Sequence, residues 1–200
     1  MLRNKRVNFF RDVSEEMDLN QKKKIIIKTF RDLCIQYGID HFSMQTLSDS
    51  CGFPIGTIYN IFENRTEIFR GTLRYCYNVI YEGLSTYDHF TVEALKIKLH
   101  LYINNALNNK NDFLFFDSFE CHPLNQSKQY FDEFTMLGDS SIGALMENNT
   151  FFKMSPYLII TIMVGIVSKS IKYIICNNIK ISEENINNLI QAIIRATVIE

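Results

Sequence analysis

The sequence is short of the residues that make tight turns: it has 8 glycines and 3 prolines among 200 residues, and no tryptophan. Sheet-rich folds need many tight turns, so this shortage argues against an all-β protein and favours helices. Hydrophobic residues make up 46% of the chain and charged residues 22%. These proportions are ordinary for a folded soluble protein and provide enough apolar side chains for a buried core.

Cysteine pairs, metal-ligand spacings and catalytic motifs are also missing. The five cysteines lie far apart and form no C-x-x-C pair, which argues against disulfides or a zinc site and fits a reducing cytoplasm. His89, His100 and His122 do not have metal-ligand spacing. No nucleophile motif or glycine-rich phosphate loop occurs. We therefore expect no metal, no cofactor and no catalytic residue, and we do not expect an enzyme.

Long hydrophobic runs are scarce as well. The first twenty residues lack the apolar core of a signal peptide. The most apolar run, residues 157–167, has about half the length that a membrane span needs, and Lys169 and Lys172 follow it. We therefore expect a buried helix at this run, no membrane partner and a cytoplasmic location.

A helical period of apolar residues begins near residue 20. The pattern predicts an amphipathic helix that ends at Gly38, where a glycine is favoured after the last turn. Asn20 is the expected N-terminal cap of this helix. Its apolar face contains Ile26, Ile27, Phe30, Leu33, Cys34 and Tyr37.

Two short helices are predicted next, followed by a longer one. Ser43 has the character of an N-cap, Gly52 ends the first short helix, and Pro54 stands at or near the start of the second. Each short helix has about two turns, which is too short for stability without a packed neighbour. Two short helices joined by a glycine-containing turn are typical of a helix-turn-helix, whose second helix lies in the major groove of DNA.

Charge is distributed unevenly along the chain. Residues 1–80 contain 12 lysines and arginines against 9 acidic residues, a net of +3, and residues 81–200 contain 9 against 13, a net of −4. The basic end includes an arm at residues 1–19 and the run Lys22, Lys23 and Lys24. A weakly basic N-terminal region is compatible with a nucleic-acid partner, although solvated surface charge explains it equally well.

Residues 24–69 closely resemble the DNA-binding domain of the TetR family of bacterial transcriptional regulators. The clearest match is the string GTIYNIFENRTEIF at 56–69, together with the spacing from Gly38 to Gly52. The resemblance implies phosphate contacts by Ser43, Thr57, Tyr59 and Arg65, a base contact by Gln45, and variable recognition positions at Ile55 and Asn60. Three positions depart from the family pattern: Pro54 replaces a serine cap, Ile55 a frequent lysine and Ser48 a common alanine.

The predicted fold is therefore all-α. We expect a basic N-terminal arm at 1–19, a three-helix helix-turn-helix DNA-binding domain at 20–70, and a helical effector-binding and dimerisation domain at 71–200. Beyond the helix that starts near residue 65, the pattern predicts helices at 91–108, 111–120, 125–148, 155–178 and 183–198.

An aromatic and acidic segment at 111–125 is the candidate effector site. The simpler interpretation is that its aromatic residues belong to the core. The resemblance implies a small-molecule pocket in this domain, and acidic groups there would favour a cationic ligand. The candidate residues are Phe113, Phe116, Asp117, Glu120, His122 and Tyr130.

The last two predicted helices are apolar over more than one face, which is more than one protomer core needs. The resemblance implies a two-fold homodimer through a four-helix bundle of these helices, with its recognition helices about one DNA turn apart, ~34–36 Å, on a palindromic operator. The candidate interface residues are Ile159, Ile162, Met163, Ile166, Ser170, Ile174, Leu189 and Ile193.

These patterns together favour a sequence-specific transcriptional regulator, of the repressor type that a small-molecule effector releases from double-stranded DNA. The sequence leaves three alternatives open. These alternatives are an activator, a regulator whose C-terminal domain responds to another protein, and a helical ligand-binding protein or enzyme that binds no DNA.

Overall fold

The computed structural model describes residues 18–84, 91–125 and 155–198, and within these ranges it contains eight α-helices and no strand. The prediction of an all-α fold is confirmed. The predicted arm, apart from its last two residues, and nearly all of the predicted helix at 125–148 lie outside the described residues. The helices are α1 (Leu19–Tyr37), α2 (Met44–Cys51), α3 (Ile55–Ile61), α4 (Arg65–Ile80), α5 (Val92–Asn108), α6 (Lys110–Phe119), α7 (Pro156–Cys176) and α8 (Glu183–Thr197).

Helix α1 is capped by Asp18 and not by Asn20, so the predicted cap was wrong by two residues. The Asp18 carboxylate accepts from the backbone N–H of Gln21 at 3.0 Å, and the Gln21 side chain accepts from the backbone N–H of Asp18 at 3.4 Å. This reciprocal pair is a capping box, and its aspartate also places a negative charge at the positive end of the helix dipole. The cap therefore offsets the unfavourable run of lysines in the first turns of α1.

Helices α2 and α3 form the predicted pair of short helices. The Ser43 hydroxyl caps α2 by accepting from the backbone N–H of Thr46 at 3.1 Å, as its position predicted. Gly52 ends α2 in the left-handed conformation with φ 76°, which glycine adopts without steric cost. Pro54 precedes α3, and no side-chain hydrogen bond caps that helix. The loss of a serine cap at this position is thus visible in the structure.

An N-terminal apolar core holds the short helices. Leu47 of α2 and Ile58 of α3 are fully buried, and Phe62, directly after α3, is 1% exposed. These side chains pack in one cluster with the buried face of α1 and the first half of α4. Phe115 of α6 belongs to the same cluster, so the N-terminal core includes a side chain from the C-terminal part of the chain.

Helix α4 connects this core to a second one. Leu73 and Cys76 pack in the N-terminal core, whereas Ile80, one turn further on, packs in the C-terminal core. The C-terminal core is formed by buried residues of α5, α6, α7 and α8. Because one continuous helix contributes to both cores, a displacement of α4 changes the relation between them.

Helix α7 is apolar on more than its core face. Ile159, Met163, Val167 and Ile171 recur at every fourth position and are buried in the C-terminal core. The sequence prediction counted only eleven apolar residues, but the helix from Leu158 to Cys176 is long and apolar enough to cross a membrane by length and composition. That test is also passed by core helices of soluble proteins, and the buried stripe shows that α7 packs against its own chain.

The turn between α2 and α3 gives a test of this local structure. Gly52→Ala is expected to destabilise the protein by about 1–2 kcal/mol, because an L-residue is strained in the left-handed region. Gly56→Ala is the matched control, since a Cβ at Gly56 of α3 meets no atom within 4 Å. That substitution is expected to stabilise the helix by about 0.5–1 kcal/mol. Denaturant unfolding at one protein concentration measures both changes, and equal stabilities of the two variants would contradict the prediction.

Candidate nucleic-acid interface and ligand site

Helix α3 shows its polar side chains to solvent because its apolar side is fully used by the core. Ile58 faces the N-terminal core, which leaves the opposite side of this seven-residue helix free. Tyr59 is 44% exposed, and Asn60 is exposed beside it. Ile55 and Thr57 are half-buried at the first turn. The structure thus displays a tyrosine, an asparagine and a threonine on a short helix whose position is set by burial on its other side.

Helix α2 adds two further candidates at its N-terminus. Ser43 is exposed, and its hydroxyl lies 3.0 Å from the Thr46 hydroxyl as well as capping the helix. The exposed Gln45 side chain donates from Nε2 to the Asp49 carboxylate at 2.8 Å, one turn along α2. Asp49 therefore orients the Gln45 amide, a relation that the sequence prediction did not include. The contact follows from the i, i+4 spacing of Gln45 and Asp49, because side chains four residues apart are neighbours on a helix.

Arg65 has a structural role that the sequence prediction missed. Its Nη1 donates to the carbonyl of Phe42 at 2.8 Å, and its Nη2 donates to the carbonyl of Ile39. Its guanidinium also lies over the Phe42 ring, 4.2 Å from the centroid. These bonds join the start of α4 to the loop between α1 and α2. A lysine cannot reproduce this fork, which explains an arginine at this position. A contact of Arg65 with a DNA phosphate stays a prediction. It would use the guanidinium N–H groups that do not donate to these two carbonyls.

Ser48 replaces the small apolar residue typical of its position, and the structure shows why a hydroxyl is tolerated there. The side chain is buried, and its hydroxyl donates to the carbonyl of Phe53 at 2.7 Å, inside the turn between α2 and α3. The carbonyl of Ser48 accepts from the backbone N–H of Gly52 at 3.0 Å. Both groups therefore hold the turn that sets the angle of α3 against α2.

Two of the candidate ligand residues, Phe116 and Glu120, lie beside a cluster of tyrosines. The Phe116 ring is 5.9 Å from the Tyr77 ring and 6.0 Å from the Tyr81 ring, measured between centroids. The Tyr81 ring is in turn 5.3 Å from the Tyr102 ring. Burial raises the pKa of Tyr81 and that of Tyr102, and the negative charge of Glu120 adds to both shifts. We call Tyr77, Tyr81, Tyr102, Phe116 and Glu120 the aromatic–acid cluster.

Among the carboxyl groups in the described part of the chain, that of Glu120 has the most strongly shifted pKa. Burial, followed by the charge of Asp117, raises the pKa of Glu120 from 4.5 to about 7. Asp117 itself forms an ion pair with Lys172 of α7 at 2.7 Å between Oδ2 and Nζ. A carboxyl that titrates near neutral pH among aromatic rings suits a ligand with a positive charge or with hydrogen-bond donors.

Phe113 and His122, two other candidate ligand residues, do not belong to this cluster. Phe113 is fully buried in the C-terminal core, as the simpler interpretation of the aromatic segment predicted. The His122 ring packs on Phe69, with 5.4 Å between centroids, and its Nδ1 accepts from the backbone N–H of Leu124 at 3.2 Å. Tyr130 lies outside the described residues. Phe113 therefore belongs to the C-terminal core and His122 packs against α4, whereas Phe116 and Glu120 remain candidates for contact with a ligand.

The predicted dimer residues also divide into two groups. Ile159, Met163 and Ile193 are at most 4% exposed within one protomer. Their placement in a dimer interface is therefore corrected to the protomer core, because a side chain covered by its own chain has no surface left for a partner. The remaining candidates are half-buried and stay a prediction: Ile162, Ile166, Ser170, Ile174 and Leu189. Leu158 and Tyr173 of α7 are more exposed than these, at 55% and 63%.

Within the described residues, no group of three or more histidine, cysteine or acidic side chains is arranged to hold a metal ion. All five cysteines are free thiols. Burial raises the pKa of Cys34 to about 12 and raises that of Cys76 further, so both thiols are protonated at neutral pH and are poor nucleophiles.

Comparison with known proteins identifies the fold. No protein-family model matches the sequence, and no curated protein matches it. Solved structures do match over most of the chain. A TetR family transcription regulator from Marinobacter aquaeolei VT8 is 13% identical with a TM-score of 0.77, and the match covers 90% of this chain and 97% of the other. A TetR-family transcriptional regulator from Haemophilus influenzae RD is 14% identical with a TM-score of 0.69, covering 90% and 98%.

A third match has the same outcome. A TetR-like transcriptional regulator from Rhodococcus sp. RHA1 is 11% identical with a TM-score of 0.67, covering 87% of this chain and 93% of the other. The chain therefore has the fold of the TetR-family transcription regulators, a helical DNA-binding domain joined to a larger helical domain. This agrees with the fold that the resemblance of residues 24–69 implied.

Stability measurements test the structural role of Arg65 at the loop between α1 and α2. Arg65→Ala is expected to lower the free energy of unfolding by about 1–3 kcal/mol, because two partly buried carbonyls lose a charged donor. Tyr59→Phe removes only an exposed hydroxyl, and its effect on stability is expected to stay within about 0.5 kcal/mol. Denaturant unfolding of both variants checks this. Unchanged stability of Arg65→Ala would mean that the fork onto Phe42 and Ile39 contributes nothing.

The pKa of Glu120 predicts a pH dependence of stability. Because its folded pKa is raised, the folded chain holds the proton more tightly than the unfolded chain, and stability is lost as the pH rises from about 4.5 to about 7. Glu120→Gln, which resembles the protonated form, removes this loss. Its stability relative to the parent is expected to increase between pH 5 and pH 8. Parallel unfolding curves at the two pH values measure the change, and a constant difference between the proteins would contradict the assignment.

Proposed function

We propose that the protein is a sequence-specific DNA-binding transcriptional regulator that acts as a repressor. The observation that carries this proposal is the exposed face of α3, which presents Thr57, Tyr59 and Asn60 from a helix-turn-helix within a fold shared with transcription regulators. A helix of seven residues is not stable alone, so the core holds α3 in place. Its polar side chains are not used in that core and are therefore available to contact a partner.

The candidate contacts divide by chemistry. Hydroxyls of Ser43, Thr57 and Tyr59 donate to phosphate oxygens, and these contacts set the register of the protein on the duplex. Amide side chains of Gln45 and Asn60 have the donors and acceptors that read base edges in the major groove. Exposed lysines of α1, such as Lys24 and Lys28, add attraction that does not depend on sequence.

The proposed active form is a homodimer on a palindromic operator. Supporting it, α7 keeps large apolar side chains partly exposed after its core stripe is buried, and Leu158 and Tyr173 are the most exposed of them. A two-fold axis through α7 and α8 would present two copies of α3 to successive major grooves, about 34–36 Å apart. A two-fold axis in the protein then requires inverted half-sites in the DNA.

The proposed effector is a small molecule that binds at the aromatic–acid cluster and releases the operator. Tyr77 and Tyr81, at and just beyond the C-terminal end of α4, supply part of this cluster, and Phe116 and Glu120 of the α6 region supply another part. A ligand that separates these groups would displace α4, which also packs in the N-terminal core. Displacement of α4 would alter the distance between the two recognition helices and weaken binding to a fixed operator.

A regulator of this kind works where the chromosome is, so we place the protein in the cytoplasm, unattached to membrane and without enzymatic activity. The five free thiols support this location, since disulfide formation is rare in a reducing compartment. Activation of transcription and control by a protein partner remain the alternatives within the same class.

Selection of bound duplexes from a random DNA pool tests the proposal. We expect purified parent protein to enrich a palindrome with half-sites about one turn apart. If the dimer neutralises about six to ten phosphates, its affinity should fall about 10³–10⁵-fold between 50 and 200 mM salt. Tyr59→Phe should weaken binding to all sequences, whereas Gln45→Ala should alter the enriched bases.

The result that opposes the proposal is equally clear. Absence of enrichment at low salt, with a folded protein and a verified oligomeric state, would favour a helical ligand-binding protein or enzyme that uses no DNA. Enrichment that no small molecule reverses would retain the DNA-binding function and favour a protein partner as the regulator. A transcription assay on the enriched site then distinguishes repression from activation.

A further inference from the structure

A buried ion pair joins the DNA-binding region to the C-terminal region. Arg31 of α1 donates from Nη1 to Oδ1 of Asp112 in α6 at 2.5 Å, and the two side chains are 10% and 8% exposed. The partners are separated by 81 residues of sequence, so this contact exists only when the two regions pack in one particular way. Charged side chains are rarely buried this deeply unless they are paired.

Neighbouring residues reinforce the contact on both helices. The Arg31 guanidinium also bonds Asp32, with 2.8 Å between Nη2 and Oδ1, and Asn111 of α6 donates to the same Asp32 oxygen at 2.9 Å. The Cys76 thiol of α4 lies 3.4 Å from Oδ1 of Asp112. We call these five residues the interdomain polar cluster. Two consecutive residues of α1 are therefore paired with two consecutive residues of α6, and Cys76 of α4 also contacts the pair.

The electrostatics of the cluster favour the charged pair. Burial by itself would lower the pKa of Arg31, but the hydrogen bonds and charges of Asp112 and Asp32 together outweigh it, and the pKa is raised overall. Asp112 stands in the first turn of α6, where the helix dipole stabilises a carboxylate. Protonated Cys76 adds a weak donor to the same carboxylate.

The cluster is not needed to bury surface, because apolar contacts already join the two regions. Phe115 of α6, three residues after Asp112, packs in the N-terminal core, and its ring lies 6.0 Å from the Phe69 ring. Apolar contact has no preferred direction, so it permits small sliding and rotation of α6 on α1 and α4. A charge-assisted fork requires one geometry. A buried ion pair contributes little net stability compared with apolar residues of similar volume, and in some proteins its role is to select one packing arrangement.

We propose that the Arg31–Asp112 ion pair is a positioning device that sets the orientation of the helix-turn-helix on the C-terminal domain, and so the half-site spacing that the dimer accepts. This inference rests on the proposed function, a dimeric regulator that reads two half-sites. Arg31 and Asp112 touch no DNA in this scheme. They act by holding α1, to which α2, α3 and α4 are fixed by the N-terminal core, against α6.

The test replaces the pair without leaving an unpaired buried charge. Arg31→Met combined with Asp112→Leu keeps apolar side chains of comparable length at both positions. The matched control is His100→Gln with Glu183→Gln. It removes a hydrogen bond of 2.9 Å between His100 Nε2 and Glu183 Oε2, which joins α5 to α8 and does not reach the N-terminal core. Parent and both double variants are then given duplexes that carry the parent's half-sites separated by spacers of varied length.

The expected result is a change in spacing without a change in base preference. The Arg31→Met/Asp112→Leu protein should enrich the same half-site sequence as the parent. Its affinity preference for the best spacer over one that is a base pair longer should fall by about fivefold or more, the lower range of coupling between sites. The His100→Gln/Glu183→Gln protein should keep the parent's spacer profile.

Each other outcome decides against one claim. A parent spacer profile in a folded Arg31→Met/Asp112→Leu protein overturns the positioning role and leaves the proposed function intact. Failure of the parent itself to enrich any duplex overturns the proposed function and this inference with it. If the double variant does not fold, Arg31→Lys replaces it, because a lysine keeps the charge but cannot bridge Asp112 and Asp32 together. An unchanged spacer profile in Arg31→Lys then overturns the proposal.

Discussion

The burial of Ile58 and Phe62 is the constraint on which the rest of the structure depends. A helix of seven residues does not persist in water alone, so α3 exists because these two side chains complete a core with α1, α2 and α4. The same burial decides which side of α3 faces outward. The polar residues displayed there are consequently positioned by the apolar residues behind them, and the loop held by Arg65 and the turn held by Ser48 refine that position.

Much of this arrangement was predictable, because it follows local periodicity and caps. The N-cap at Ser43 and the glycine ends at Gly38 and Gly52 are features of neighbouring residues, and the structure confirms them. The carbonyl partners of Arg65 and the Asp112 partner of Arg31 are not of this kind, since they lie 23 to 81 residues away in sequence. No spacing rule connects such residues, and only the packed fold brings them together.

The errors have physical causes of the same type. The lysines that follow Asp18 obscure the start of the helical period, so the sequence pattern does not identify Asp18 as the cap of α1. The apolar pattern does not distinguish the buried Ile159, Met163 and Ile193 from interface residues, because an apolar residue on a helix does not reveal which neighbour covers it. The candidate site on α3 could be predicted from a motif, whereas the grouping of Phe116 with Tyr77, Tyr81 and Tyr102 required the tertiary structure.

The near-neutral pKa of Glu120 also has a thermodynamic consequence for ligand binding. Close to pH 7 its carboxyl exists in both protonation states in comparable amounts, so a ligand that prefers one state shifts protons between the protein and the buffer. A cation bound against Glu120 would release a fraction of a proton, and its apparent affinity would increase with pH. The heat measured on binding would then depend on the ionisation enthalpy of the buffer, even though the contacts between ligand and protein stay the same.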